Sequence, residues 1–277
     1  MKCKMKGPKM QACTEPETVD ILGINVTAMN MDQVIDFCRE KIESRSPTLL
    51  GVLNVAKAVK CRSDYILQKS LEQADIILPD GAGIVLLSRL LCCPLPQRVP
   101  GIDIMYNLLR LADELSCSVY FLGAKQEVVQ KVVDIVTENY PHVRIAGFHD
   151  GYFDRNQARS VADDIRQSDA DMLFVAMPTP KKEIFLGDWQ KYMNVPLCHG
   201  VGGSFDVMAG IVKRAPQWVQ NIGMEWFYRM IQEPRRLFMR YLATNSMFML
   251  LGMAQVIKIN ISRLKRAFSL SPNRANG

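Results

Sequence analysis

Short apolar runs alternate with longer amphipathic ones over the first 200 residues, and the spacing predicts strands near 19–24, 48–53, 74–78, 118–122, 143–147, 171–176 and 196–200. Between them apolar positions recur at helical spacing. This βα alternation predicts an α/β fold, a mainly parallel, Rossmann-like sheet flanked by helices, with ligands at the carboxyl ends of the strands. The loops at that edge begin at Asn54, at Pro79-Asp80-Gly81, at Gly123-Ala124-Lys125, at His149-Asp150-Gly151, over Pro178 to Glu183, and from Gly200 to Asp206.

Past residue 200 the pattern changes. Starting at Leu250, the positions Ala254, Ile257, Ile261, Leu264 and Phe268 follow helical spacing, with Lys258, Arg263, Lys265 and Arg266 around them. Such a helix suits an anionic membrane surface; a terminal helix packed on its own domain or on a partner subunit fits the same pattern. The longest uncharged run, Tyr241 to Ile257, contains Thr244, Asn245, Ser246 and Gln255. It falls short of the roughly 20 apolar residues that span a bilayer, so crossing is not expected. Residues 1–18 lack an apolar h-region and read as a loose tail and not a secretory signal. The expected division is this tail, an α/β catalytic domain over 19–212, and a basic helical appendage over 213–277.

Charge sharpens that division. Lys213 to Gly277 hold eleven Lys/Arg against Glu225 and Glu233, net +9, so residues 1 to 212 carry −3 of the chain's +6. A surplus confined to one end suits phosphates, anionic lipid or nucleic acid, or is a solvated tail. Eight cysteines at irregular positions, with no C-x-x-C pair, suggest neither a disulfide framework nor a zinc site, and fit a reducing cytoplasm.

The densest stretch runs from Gly200 to Arg240. Gly200, Gly202 and Gly203 form a turn whose backbone N–H groups are expected to approach phosphate oxygens, with Asp206 just after it. Trp218, Trp226, Phe227 and Tyr228 then alternate with Lys213, Arg214, Arg229, Arg235, Arg236 and Arg240. At the earlier loop, Asp80 is expected at the start of a helix. There it serves either as an N-cap or as a carboxylate that takes a proton from an attacking hydroxyl. Asp169-Ala170-Asp171 matches the letters of a metal-binding D-x-D but precedes its strand, at the amino end of the sheet, and reads as a solvated turn. His149 and His199 lie near the ligand edge, and a structural role is expected of both. No G-x-S-x-G, Walker loop or H-R-D stretch occurs, and Gly200-Val201-Gly202-Gly203 lacks the spacing of a dinucleotide fingerprint, which leaves a nicotinamide-dependent oxidoreductase poorly supported.

Eight segments together resemble the WecG/TagA/CpsF glycosyltransferases (glycosyltransferase family 26): PDGAGIV at 79–85, QRVPGID at 97–103, FLGA at 121–124, HDGYF at 149–153, PKKE at 180–183, GVGGSFDVMAG at 200–210, KRAP at 213–216 and EWFYRMIQEPRR at 225–236. The resemblance covers residues 19 to 240 and implies an inverting, metal-independent transfer of a sugar from a UDP-sugar to a polyprenyl-diphosphate-linked saccharide, without a cofactor. It also implies a basic appendage that closes over the site and touches the inner face of the membrane. By resemblance Asp80 is the general base. Asn54, Gly123, Ala124, Lys125, Pro180, Lys182, Glu183, Gly202, Gly203 and Asp206 are the donor-side residues. Arg98, Arg214, Arg229, Arg235, Arg236 and Arg240 are the residues expected to meet diphosphate and acceptor. No nucleic acid is expected as partner, and a homo-oligomer is left open, since a three-layer sheet with an exposed helix often self-associates. Two departures bear on the donor: Val52-Leu53-Asn54 stands where many relatives read Thr-Pro-Asn, and Lys182 stands where glutamine is usual. The other reading left open is a nucleotide- or lipid-binding module of the same fold that has lost catalysis.

Overall fold

A computed structural model describes residues 16–269 of the chain, so most of the predicted tail and the last eight residues lie outside the described residues. The expected single strand at 19–24 is a hairpin, β1 (Thr18–Ile21) paired antiparallel with β2 (Ile24–Thr27). Leu22 and Gly23, at φ 55° and 90°, reverse the chain between them. The sequence pattern missed this because Ile21, Leu22 and Ile24 read as one apolar run across a turn only two residues long. The hairpin lies outside the main sheet but docks beside it, where Thr27 Oγ1 accepts from the Ile77 N–H at 3.2 Å.

Next come α1 (Met31–Glu43), β3 (Thr48–Leu53), α2 (Val55–Lys60), α3 (Tyr65–Glu72), β4 (Ile76–Pro79), α4 (Ala82–Leu90) and α5 (Gly101–Leu115). They are followed by β5 (Ser118–Gly123), α6 (Gln126–Asn139), β6 (Arg144–His149), α7 (Ala158–Gln167), β7 (Met172–Ala176), α8 (Lys181–Met193), β8 (Leu197–Gly200) and α9 (Ser204–Met208). Six parallel strands form one sheet in the order β4-β3-β8-β7-β5-β6. Every residue of β3, β4, β5, β7 and β8 is buried, as a parallel sheet covered on both faces requires. One face packs Leu50, Phe121 and Phe174 against α1, α5, α6 and α9. The other packs Leu122, Leu173 and Val175 against α7 and α8. A third cluster joins the hairpin, α2, α3 and α4.

The appendage consists of α10 (Gln217–Asn221), α11 (Glu225–Gln232) and a single long helix, α12 (Pro234–Ser269). Within α12, Leu237–Arg263 is long and apolar enough to cross a membrane, by length and composition alone, whereas the run counted from uncharged residues stops short. The helix lies against the α/β body along one stripe. Phe248 is buried in the third cluster, Gly252 meets Leu87, Gln255 bonds Leu22 N–H and Asp20, and Arg263 donates to the Leu91 carbonyl. The stripe picked out by sequence, Leu250, Ala254, Ile257 and Ile261, faces outward; Leu264 and Phe268 have no described side chains. Packing of this helix on its own domain is thus observed on one face, while the other face is exposed.

At the carboxyl edge Gly123 has φ 123°, and a Cβ there would stand 2.4 Å from the Ala176 carbonyl oxygen. Both backbone strain and overlap with main chain that cannot yield oppose a side chain. Gly123→Ala is expected to lower unfolding stability by about 2 kcal/mol or more, read from the urea midpoint.

Candidate active site

Asp80 stands at the carboxyl end of β4, where its N–H is held by the Leu53 carbonyl at 2.8 Å. It does not cap α4. The N-cap is Gly81, with no side-chain hydrogen bond, so the structural reading of Asp80 falls away. Among the described residues nothing hydrogen-bonds its carboxylate, which leaves both oxygens open to a ligand proton. Burial pushes its pKa above the usual carboxylate range, against the pull of Lys57, Arg229 and Arg98 and with the push of Glu225.

Those neighbours come from three parts of the chain. Arg98 precedes α5, in a segment fixed by the Val99 N–H bond to the Pro79 carbonyl at 2.8 Å. Arg229 and Glu225 reach in from α11. The Glu225 carboxylate, largely buried, gathers Arg98 at 3.1 Å, Arg229 at 3.6 Å and Arg214 at 4.0 Å, while Arg214 also meets Asp103 at 2.5 Å. Three of the six expected arginines therefore converge on Glu225, and two of them, Arg98 and Arg229, also act on Asp80. Arg235 and Arg240 are exposed, Arg240 over the ring of Tyr241, and they stand outside this cluster. The side chain of Arg236 lies outside the described residues.

Beneath the edge sits a second charged set. Glu183 Oε1 takes Lys57 Nζ at 2.9 Å, Lys182 Nζ at 2.8 Å and the Thr179 hydroxyl at 3.1 Å. Lys57 also donates to the Val52 carbonyl at 2.7 Å, and Lys182 to Thr179 Oγ1 at 2.8 Å. Lys57, Lys182 and Glu183 are each only 6% exposed. Burial works against the Glu183 charge, but the two lysines outweigh it and hold the carboxyl at about 2. Burial, followed by the charge of Lys57, brings Lys182 down to about 8 against the opposing pull of Glu183 and Asp80. Lys182, expected to extend toward a donor, is thus folded inward.

The glycine turn explains how it fits. A Cβ at Gly200 would lie 3.2 Å from Lys182 Cδ, and Gly202 stands over its Nζ. The Val201 and Gly202 N–H groups both go to the Val175 carbonyl, and that of Ser204 to Val201. These glycines admit a lysine below the turn, and most of the N–H groups expected to face phosphate are already engaged. A cavity of about 20 Å³ lined by Gly51, Val52, Lys57, Lys182, Glu183 and Gly200 is the size of one water and too small for a nucleotide.

The remaining donor-side residues line the same edge. The Asn54 side chain caps α2 by accepting the Lys57 N–H at 3.0 Å. Gly123 and Ala124 make the turn into α6, with Lys125 exposed at its start. Pro180 precedes α8, whose Lys181 ties down the Gly151 and Phe153 carbonyls at 2.8 and 2.7 Å. Gly203 and a half-buried Asp206 begin α9. His199 is structural, as expected: buried between the Gly101 and Leu50 carbonyls, it is lowered by burial to about 4, despite those bonds. At the opposite edge Asp169 and Asp171 pair with Arg45 at 2.7 and 2.9 Å, and Asp171 also takes the Ser118 N–H and hydroxyl. The D-x-D is more than a solvated turn, since the half-buried Asp171 clips the start of β5 to the start of β7. Sequence reasoning missed Lys57 and Glu225. A lysine inside an apolar helical turn, and one of only two acids in the basic segment, four residues before Arg229, were the available signals.

A model of the WecG/TagA/CpsF glycosyl transferase family matches residues 19–262. The chain is 35% identical over 222 residues to an N-acetylglucosaminyldiphosphoundecaprenol N-acetyl-beta-D-mannosaminyltransferase of Bacillus subtilis, covering 79% of this chain and 86% of the relative. It is 40% identical over 166 residues to the protein of the same name from Bacillus spizizenii, covering 60% and 64%.

Two linked groups set the acid response. Glu183, held at about 2, stabilises the fold fully above its ordinary 4.5 and loses that contribution as pH falls toward 2. His199, held at about 4, is charged more readily when unfolded, so stability declines from about 6.5 downward. Asp80, with its raised pKa, works in the opposite sense. Urea midpoints taken from pH 7 to pH 3 are expected to fall steadily. Glu183→Gln, which leaves two buried lysines facing each other, is expected to cost about 3 kcal/mol or more at pH 7 and to flatten the fall below pH 4.5.

Proposed function

The chain belongs to the WecG/TagA/CpsF family of glycosyltransferases, and from that premise we propose that it moves a sugar from a UDP-sugar to a polyprenyl-diphosphate-linked saccharide, with inversion at the anomeric carbon. The observation that carries the reading is the uncommitted Asp80 carboxylate beside the Arg98, Arg214 and Arg229 cluster. Asp80 takes the proton of the acceptor hydroxyl as its oxygen bonds to the anomeric carbon. On the opposite side of that carbon the bond to the UDP oxygen breaks, and its electron pair leaves with the diphosphate. The guanidinium groups receive that developing charge, a task that divalent cations perform in other transferases, so the reaction proceeds without a metal.

The relatives' names specify an N-acetylmannosamine donor and an N-acetylglucosaminyl-diphosphoundecaprenol acceptor. For this chain N-acetylmannosamine leads the donor candidates, ahead of glucose or a uronic acid, because Lys182, folded inward onto Glu183 and 6% exposed, offers an acidic sugar no countercharge. The outward stripe of α12 supports peripheral attachment to the cytoplasmic face of a membrane that presents a lipid-linked acceptor.

A panel of UDP-sugars with short-chain polyprenyl-diphosphate acceptors, scored by UDP release and product mass, tests the assignment. Transfer is expected with one donor and to persist in excess EDTA; activity abolished by EDTA and restored by Mg²⁺ overturns the metal-free reading. Asp80→Asn is expected to fold and bind UDP while losing about 10²-fold or more in transfer. Full activity in that variant leaves Asp80 without its role, and UDP binding with no transfer by the wild-type chain favours the non-catalytic module.

Attachment is tested separately. Met253 and Ile257 are 60% and 56% exposed. Replacing both with Glu is expected to weaken binding to vesicles containing anionic lipid by roughly tenfold or more, with no change in melting temperature. Unchanged binding assigns attachment to another surface.

A further inference from the structure

Lys57, Lys182, Glu183 and Asp80 form one electrostatic unit at the ends of β3, β4 and β7. Two ammonium groups share one oxygen of Glu183, so this buried triad carries a single uncompensated positive charge. Lys57 Nζ is pinned to the Val52 carbonyl, one residue before Leu53, whose own carbonyl holds the Asp80 N–H; β3 and β4 are paired there, Val52 with Leu78 and Leu53 with Pro79. The position of Lys57 is therefore fixed relative to Asp80 by main chain on both sides.

We propose that Lys57 is a positioning residue, the buried counter-ion of Asp80, and that Glu183 and Lys182 hold it in place while keeping the triad's net charge at +1. The inference rests on the reading of Asp80 as the base. With Asp80 ionised the four groups sum to zero. When Asp80 accepts the acceptor's proton the unit becomes +1, at the moment the breaking bond delivers negative charge to the departing diphosphate. A buried cation set thus compensates first the base and then the leaving group, with no side chain moving. Of the charges acting on Asp80, Lys57 is the largest, ahead of Arg229, Glu225 and Arg98. The groups facing the unit are Lys57 from α2, Lys182 and Glu183 from α8, Arg98 ahead of α5, Glu225 and Arg229 from α11, and a neutral His199 from β8.

The test follows the Asp80 carboxyl directly, by ¹³C NMR of the full chain labelled at aspartate Cγ, with the resonance assigned through its loss in Asp80→Asn. Lys57→Met leaves the triad neutral and is expected to raise the Asp80 midpoint by about one unit or more. The acid limb of the kcat/KM profile is expected to move up with it. Lys57→Met/Glu183→Gln leaves Lys182 alone, net +1, and is expected to bring the midpoint back toward the wild-type value. If Lys57→Met fails to fold, Lys57→Gln, which removes the same charge but keeps a hydrogen-bond donor for Glu183, is read in its place against the same outcomes. An unchanged midpoint in Lys57→Met overturns the proposal, as does a double variant that differs from wild type as much as Lys57→Met does. Should no UDP-sugar give transfer while the midpoints move as described, the glycosyltransferase reading fails and the counter-ion assignment stands.

Discussion

The Glu183 carboxylate is the contact on which the ligand edge depends. It draws a lysine from the helix after β3 and a lysine from its own helix after β7 onto one oxygen, across the end of β8 that lies between those strands. Burying three charges costs several kcal/mol per ion unless their geometry repays it, and here main-chain and hydroxyl acceptors complete both lysines. The glycine at 200 is a consequence, because a side chain there competes with Lys182 for space, while Gly202 supplies the left-handed φ of 58° by which the chain turns over it.

A second carboxylate organises the appendage. Glu225 gathers arginines from the body and from α10–α11 flanking sequence, so the basic segment is closed over Asp80 by its own countercharge. In the proposed reaction an arriving diphosphate would meet guanidinium groups that are already assembled and already paired. Binding then exchanges one anion for another and does not collect scattered cations, which lowers the ordering cost of capture.

The sheet was legible because its strands are buried on both faces and read as unbroken apolar runs, and the loops at its carboxyl edge followed from that alone. Asp80 was legible for the same reason, as a lone carboxylate between an apolar strand and an apolar helix. Lys57 and Glu225 were not, since each takes its meaning from a partner more than 100 residues away in sequence, and the inward turn of Lys182 was not, since sequence does not say that it bonds the neighbouring Glu183 and Thr179 instead of reaching outward. The glycine turn misled for a related reason: absence of a side chain signals close approach, but not whether a phosphate or a lysine is what approaches. In α12 the outward stripe was found and the docked one missed, because Gly252 and Gln255 interrupt its apolar pattern.

That docked stripe also fixes a height. Gln255 is tied to the turn of the β1–β2 hairpin and Arg263 to the end of α4, so the outward residues of α12 cannot shift relative to the sheet without breaking contacts at both places. If a bilayer meets that stripe, the carboxylate of Asp80 rides at a set distance above the headgroups. An acceptor anchored in that bilayer would then meet the edge at a reach set by the rigid body of the protein and not by a mobile tether.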